Sequence, residues 1–469
     1  MPRLWQRAFE PVPVASLVVF RIWFGAMMAL DTFWHIQYGW VEQAYIQPRF
    51  LFKFYFFEWV HPWPGNGMYL HFAALILLAG CIAVGLFYRL ATVLFAVGMT
   101  YVFLLDKAEY LNHVYLTCLL SWILVFVPCH CAFSLDAIRR PDLRSSTIPA
   151  WCLWLVQFQM AVPYFFGGIA KLDPDWLSCD TVTMFFIRES RLETFGPYLA
   201  HPLVIQCVTY GGLLFDLLVS PLLLWKRTRV PTFVVAVLFH LTNSQLFNIG
   251  IFPWLMIGAT TIFFSPDWPV RILRLNTSDP ERIRSVKALT RKQTLTVVIV
   301  GFYALIQVTL PLRQFFYPDP NWTDEGQNFC WRMMLRRKLN ESRIVAVDKQ
   351  TGRRGTIKSE DYLTPRQIRT MSGSPDMLLQ FSHFLDRTLC KERGIKELGI
   401  HAYVISSLNG RQAQLLVDPE VDLTEKQRSL RHADWIMPLK GPTLSEMRQK
   451  AGGAALKSIE QVQRRSTSL

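Results

Sequence analysis

Apolar runs long enough to cross a bilayer as helices recur along this 469-residue chain, and they constrain its fold more than any motif does. A helical span needs about 17–25 mostly apolar residues, and its backbone polar groups must be bonded within the segment. Candidate spans fall at about 13–34, 66–87, 90–105, 111–128, 149–169, 203–225, 230–247, 249–264 and 293–312. The seventh and eighth can also be read as one broken helix, because "FNIGIFPW" puts Gly250 and Pro253 between them. The expected fold class is an all-α polytopic membrane helix bundle of about eight or nine spans, carrying a small α+β non-cytosolic C-terminal domain. The basic opening "MPRLWQR" leads into the first run without a small-residue cleavage site, so it reads as a retained span.

Composition matters here mainly for what it excludes. The chain is 51% hydrophobic and 14% aromatic, and a soluble enzyme of this length would not carry so many long apolar runs. Its formal net charge of +14 could point to nucleic acid, but the basic residues lie in short loops and in the tail. With the N-terminus in the cytosol and nine spans counted, the loops at 88–89, 136–144, 225–229 and 270–292 all fall inside, as the positive-inside rule requires. The partner implied is membrane lipid, not nucleic acid. Nine scattered cysteines form no disulfide framework, and "CHC" at Cys129–Cys131 lacks a second half for a metal site.

The expected domains are a bundle over 1–312, an extramembrane part over 313–444 and a loosely ordered basic tail over 445–469. The extramembrane part would be periplasmic or luminal. In it, "IVAVDK", "AYVISSL" and "QAQLLVD" read as strands and "DMLLQFSHFLDRTL" as an amphipathic helix. Asn321-Trp-Thr and Asn340-Glu-Ser have the form of glycosylation acceptors for a eukaryotic host.

Ionisable residues inside spans are costly and mark either a buried pair or a function. Arg21 in the first span and Asp216 in the sixth have similar depths, and we read them as a structural ion pair. At the outer ends, Asp106, Lys107, Asn112 and His113 flank one turn, Lys171 and Asp173 follow the fifth span, and His240, Asn243 and Ser244 share one helical face. Either interfacial anchoring or a polar pocket accounts for each one singly; their common side favours the pocket for the set. No HExxH, GxSxG, P-loop or CxxC pattern occurs, so metal hydrolysis, elbow-serine acyl transfer and nucleotide-driven pumping lack their usual signals. A lipophilic ligand with a small polar head suits a Lys/His/Asn-lined pocket among apolar helices.

Several long stretches carry a resemblance. "ASLVVFRIWFGAMMALD" (15–31), "YRLATVLFAVGMTYVFLLDKAEYLNHVYL" (88–116), "YFFGGIAKLDPDW" (164–176) and "FHLTNSQLFNIGIFPWLM" (239–256) closely resemble the vitamin K-dependent gamma-carboxylase family. "NWTDEGQNFCWRMM" (321–334), "DMLLQFSHFLDR" (376–387) and "DPEVD" (418–422) resemble its membrane-proximal luminal part. The match runs in order over about residues 15 to 440.

The resemblance implies an enzyme that couples oxidation of vitamin K hydroquinone to carboxylation of glutamate in a peptide or protein. Dioxygen and carbon dioxide are co-substrates, the quinone leaves as its epoxide, and no metal is required. The lysine of the family's Lys-Leu-Asp-x-Asp-Trp context, which starts the reaction as a base, matches Lys171. That role needs a neutral amine, which desolvation favours. The family's Asn-His pair matches Asn112 and His113, implied to bind the quinone oxygens and stabilise an oxyanion. His240 and Asn243 match a wall of the same pocket, and Arg188 matches an arginine suited to a substrate carboxylate or to a lipid headgroup.

The chain also departs from animal members. Ala170 stands where they have a second lysine, and Phe52 and Phe384 stand at about the positions of a disulfide that joins their outer loop to the C-terminal part. The chain stops shortly after "ADWIMPL" (433–439), as short bacterial-type relatives do. Two other readings therefore stand beside carboxylation. One is a quinone epoxidase without peptide carboxylation; the other is a non-catalytic lipid-binding or transport protein, for which the internal repeat common in transporters is missing.

Overall fold

A computed structural model describes residues 4–189, 196–247, 249–274 and 289–450. The chain divides into two units, one of residues 1–46, 53–166 and 216–311, the other of residues 47–52, 167–215 and 312–469. Expected instead was a simple cut near residue 312. The second unit also takes in the segment after Phe166, and with it Lys171.

In the first unit the apolar runs become helices α1 (Ala15–Gln37), α2 (Gly67–Val84), α3 (Tyr88–Leu105) and α4 (Asn112–Phe126). Helix α5 (Ala150–Ala170) begins in this unit and ends in the second one. Among the described residues, six helices are long and apolar enough to cross a membrane: α1, α2, α3, α5, Pro202–Leu224 and Arg291–Phe316. The count of eight or nine is therefore not reached by length and composition. Helix α4 has 15 residues, and the eighth run gives only the helix Phe252–Thr260 with a short 3-10 turn after it. Arg229–Leu246 is long enough, at 18 residues, but "HLTNSQ" makes its last turns polar. It and Phe252–Thr260 are separate helices, and Gly250 lies in the break with φ +57°. Small residues bring α1 and α2 together, since a Cβ on Gly25 would lie 2.6 Å from the Ala83 nitrogen.

Arg21 does not pair with Asp216. Its guanidinium is fully buried and donates to the carbonyls of Cys129 (2.9 Å) and Phe133 (2.7 Å) in the loop that follows α4. A charged fork with five donors can satisfy loop carbonyls that would otherwise lie buried without a donor. Gly85 closes this seat. It has φ +66°, and a Cβ there would lie 2.4 Å from Ser134 Cβ and 2.7 Å from Arg21 Nη1.

In the second unit a four-stranded antiparallel sheet has the order Arg354–Ile357, Lys338–Asp348, Leu398–Leu408, Gln414–Leu415. Its central pair runs in register from Lys338↔Leu408 to Asp348↔Leu398. Ile344, Ile400, Ala402 and Val404 are buried, and so is the stripe Leu378, Phe381, Leu385 and Leu389 of the helix Pro375–Arg393. That helix and three of the strands were legible beforehand; the short Arg354–Ile357 strand was not. At the positions matched to a disulfide in animal relatives the chain has aromatic packing. Phe50 stacks on Phe384 at 4.6 Å and meets Phe52 edge-on at 5.0 Å, contacts worth about 0.5–1.5 kcal/mol each beyond their buried area. Residues 444–450 are helical with Leu444 buried, so the tail's order extends past 445; residues 451–469 lie outside the described residues.

Gly85→Ala is expected to lower the thermal transition of the detergent-solubilised protein, at a cost of about 1–3 kcal/mol for the forced φ together with the clash on Arg21. Gly80→Ala, in the same helical hairpin with open space at its Cβ, should leave the transition unchanged or raise it slightly. Scanning fluorimetry of the two variants decides it.

Candidate functional site

In the first unit, two histidines from separated segments meet on one aromatic ring. His113, in the first turn of α4, stacks on Phe252 with ring centroids 5.3 Å apart. His240 meets the same ring edge-on at 6.4 Å. Its Nε2 lies 2.7 Å from the Tyr164 hydroxyl, which comes from α5, so ring and hydroxyl share a hydrogen bond. Asn112 opens α4 and accepts a hydrogen bond from the Tyr110 hydroxyl at 2.9 Å. Asn243 lies one turn beyond His240, and its carbonyl accepts the Phe247 N–H. Asp106 is buried and caps the turn before α4 by accepting the Ala108 N–H. The Lys53 ammonium donates to the Leu105 and Val60 carbonyls, and burial lowers its pKa below the ordinary lysine value. An aromatic face met by two imidazoles suits a planar lipophilic ring bearing polar oxygens.

In the second unit, Lys171 follows the last residue of α5. Its N–H bonds back to the Gly167 and Gly168 carbonyls. It is 7% exposed, and its amine lies 5.0 Å from the centre of the Trp176 ring. Trp176 belongs to a one-turn helix, Pro174–Leu177, and its indole N–H is pinned to the Thr209 carbonyl at 2.9 Å. Asp173 caps this turn by accepting the Asp175 N–H. It also accepts from Asn321 Nδ2 at 3.0 Å and lies 3.9 Å from Arg332. Arg332 in turn donates to Asn321 Oδ1 at 2.8 Å and to Gln314. Asp175 is bound by Arg411 and by Asn409 Nδ2, the latter at 3.0 Å. Both carboxylates of "LDPDW" are thus held by residues that lie at least 146 positions further along the chain.

Comparison with known families decides what this arrangement belongs to. Residues 9–268, more than half of the chain, match the HTTM domain, and residues 292–441 match the lumenal domain of vitamin K-dependent gamma-carboxylase. The chain belongs to the vitamin K-dependent gamma-carboxylase family. It is a membrane protein of that family whose C-terminal part is the family's lumenal domain. No solved structure matches the chain.

Within this carboxylase-family chain the structure brings His113 and His240 together. It places Lys171 on Trp176 in the other unit, at the end of the same helix that carries Tyr164. Arg188 lies in the last turn of the helix Asp180–Glu189, and its side chain is outside the described residues. Asp216 is buried in Pro202–Leu224. Sequence reasoning missed Tyr164 and Phe252, although both lie inside stretches that carried the resemblance; an aromatic in an apolar run has no mark that separates wall from filler. It also missed Asn409 and Arg411, whose role depends on a pairing distant in sequence. Asn321, read as a glycosylation acceptor, is 1% exposed with its amide taken up by Asp173 and Arg332.

Burial, reinforced by Asp175 and opposed by Arg332, pushes the Asp173 carboxyl up to about 6. Against an unfolded value of about 4, the native state holds this proton more tightly. The contribution of Asp173 to stability is then full below about pH 4 and is lost as pH rises through about 6. Asp173→Asn keeps one of the two acceptor oxygens and carries no titrating proton, so its stability relative to wild type should rise between pH 4 and 6 and level off above 7. A constant difference across thermal melts at pH 4, 5, 6 and 7 would contradict the assignment.

Proposed function

We propose that the protein is an integral-membrane, vitamin K hydroquinone-dependent gamma-glutamyl carboxylase that couples quinone epoxidation to carboxylation of glutamate in a peptide or protein. The observation that carries the proposal is the meeting of His113 and His240 on the Phe252 ring, with His240 bonded to the Tyr164 hydroxyl. It provides the stacking face and polar groups that a reduced naphthoquinone needs. Bound there, the reduced quinone would supply with dioxygen a base able to remove a glutamate γ-proton, the resulting carbanion would add to carbon dioxide, and the quinone would leave as the epoxide.

The chain's own residues would act as follows. Lys171 takes the first proton from a quinol hydroxyl. The face of Trp176 limits where that amine can go and keeps water from one side of it. Asn112 and His113 hold the quinone oxygens, and His240 with Asn243 forms the opposite wall, with His240 oriented by Tyr164. Arg188 holds the carboxylate of the glutamate substrate. The N-terminus lies in the cytosol and the C-terminal domain on the periplasmic or luminal side, which delivers peptide substrate from outside the cytosol.

Purified protein in nanodiscs, given reduced vitamin K, labelled bicarbonate and a glutamate-containing peptide, tests the proposal. Epoxide with labelled peptide is expected. Epoxide alone would mark the protein as a quinone epoxidase, and neither product would remove both enzymatic readings. Lys171→Ala should cut epoxide formation by about 10²–10⁴-fold, the range for a positioned proton-transfer group, with quinone binding nearly intact. Retained turnover at neutral pH would take Lys171 out of the mechanism.

A further inference from the structure

Asp175 connects Lys171 to the sheet of the second unit. Its carboxylate is 4% exposed and is bound on one oxygen by Arg411 Nη2 and on the other by Asn409 Nδ2. Asn409 is fully buried in the turn that follows strand Leu398–Leu408, where it has φ +49°. Its amide also donates to Thr181 Oγ1 (3.2 Å) and the Leu335 carbonyl (3.3 Å), and its Oδ1 accepts the Arg337 N–H at 2.8 Å. Arg411 donates from its other terminal nitrogen to the Gly441 carbonyl at 3.3 Å. The turn is therefore a rigid seat built around one carboxylate.

The residue next to Asp175 is Trp176, whose ring lies under the Lys171 amine. Four residues of helix, Pro174–Leu177, cannot hold their own shape. Their placement comes from what grips them: Asn321 and Arg332 on Asp173, Arg411 and Asn409 on Asp175, and Thr209 on the indole. The fold of the domain does not need the Asp175 grip. The ladder from Lys338↔Leu408 to Asp348↔Leu398 and the helix Pro375–Arg393 bury their core without Arg411.

We propose that Arg411, with Asn409, is a positioning residue for Lys171: it holds Asp175, and so fixes the Trp176 indole against which the lysine amine rests. The inference rests on the reading of Lys171 as the starting base. It makes the lumenal domain a working part of the base's geometry as well as a platform for substrate. Without the guanidinium, Asp175 is a buried carboxylate lacking its charged partner, a state the chain relieves by moving the short helix toward water. A shift of about 1 Å in a reacting group can cost on the order of 10²-fold in rate.

The test uses the full chain in nanodiscs with two measurements. One is the rate at which a small acylating reagent modifies Lys171, read on its peptide by mass spectrometry; the other is steady-state epoxide formation. Arg411→Met should raise the labelling rate of Lys171 and lower kcat on the order of 10²-fold, with KM for the reduced quinone near the wild-type value. Arg411→Lys, which keeps the charge but not the fork, should restore part of both. Lys349→Met, which breaks the exposed pair with Asp422 and Glu425 in the same domain, should change neither. If Arg411→Met does not fold, Arg411→Lys and Asn409→Ser carry the same comparison. Unchanged Lys171 labelling and kcat in a folded Arg411 variant would overturn the proposal. Wild-type protein that forms no epoxide would remove the enzymatic reading, and the labelling rates would still decide whether Arg411 holds the lysine in place.

Discussion

The grip on two carboxylates, Asp173 and Asp175, is the constraint from which the setting of Lys171 follows. Each sits within four residues of the lysine, and each is bound by an arginine and an asparagine from the C-terminal part of the chain. Buried charges persist when they are paired and fully bonded, and losing one partner costs about 3–5 kcal/mol. That asymmetry locks a four-residue helix that has no stability of its own, and with it the indole beneath the lysine amine. Residues 167–215 belong to the second unit, as do the arginines and asparagines that bind Asp173 and Asp175.

The first unit solves a different problem. Inside apolar helices, polar groups are tolerated where a partner is at hand. Arg21 satisfies loop carbonyls, Lys53 does the same beside Leu105, and His240 shares a hydrogen bond with Tyr164. Of these, His240 meets the Phe252 ring together with His113. Tyr164 lies on the helix Ala150–Ala170, and Lys171 is the next residue after it.

Much of this was legible in the chain itself. Apolar length located α1, α2, α3 and α5 within a few residues, because a bilayer sets a span's length directly. It also located the helices 112–126 and 252–263, but these are shorter than a helical span needs. The Arg21 prediction failed for a specific reason. Equal depth made Asp216 look like its partner, whereas the true acceptors are backbone carbonyls, which leave no trace in residue type. Lys171, Asn112, His113 and His240 stood out because charged and imidazole groups are rare near spans. Arg332, Asn409 and Arg411 did not, since polar residues are ordinary in a soluble domain and only the fold shows which of them face Asp173 and Asp175.

The central claim is that Lys171 starts a reaction whose product is a glutamate carbanion. Its most direct test is hydrogen exchange at the glutamate γ-carbon, measured by mass spectrometry in deuterated buffer without carbon dioxide, with reduced vitamin K and oxygen supplied. The account predicts deuterium in the peptide and quinone epoxide with the wild-type protein, and neither with Lys171→Ala. Deuterium incorporation that survives in Lys171→Ala, or epoxide formation by wild type with no exchange at all, would contradict it.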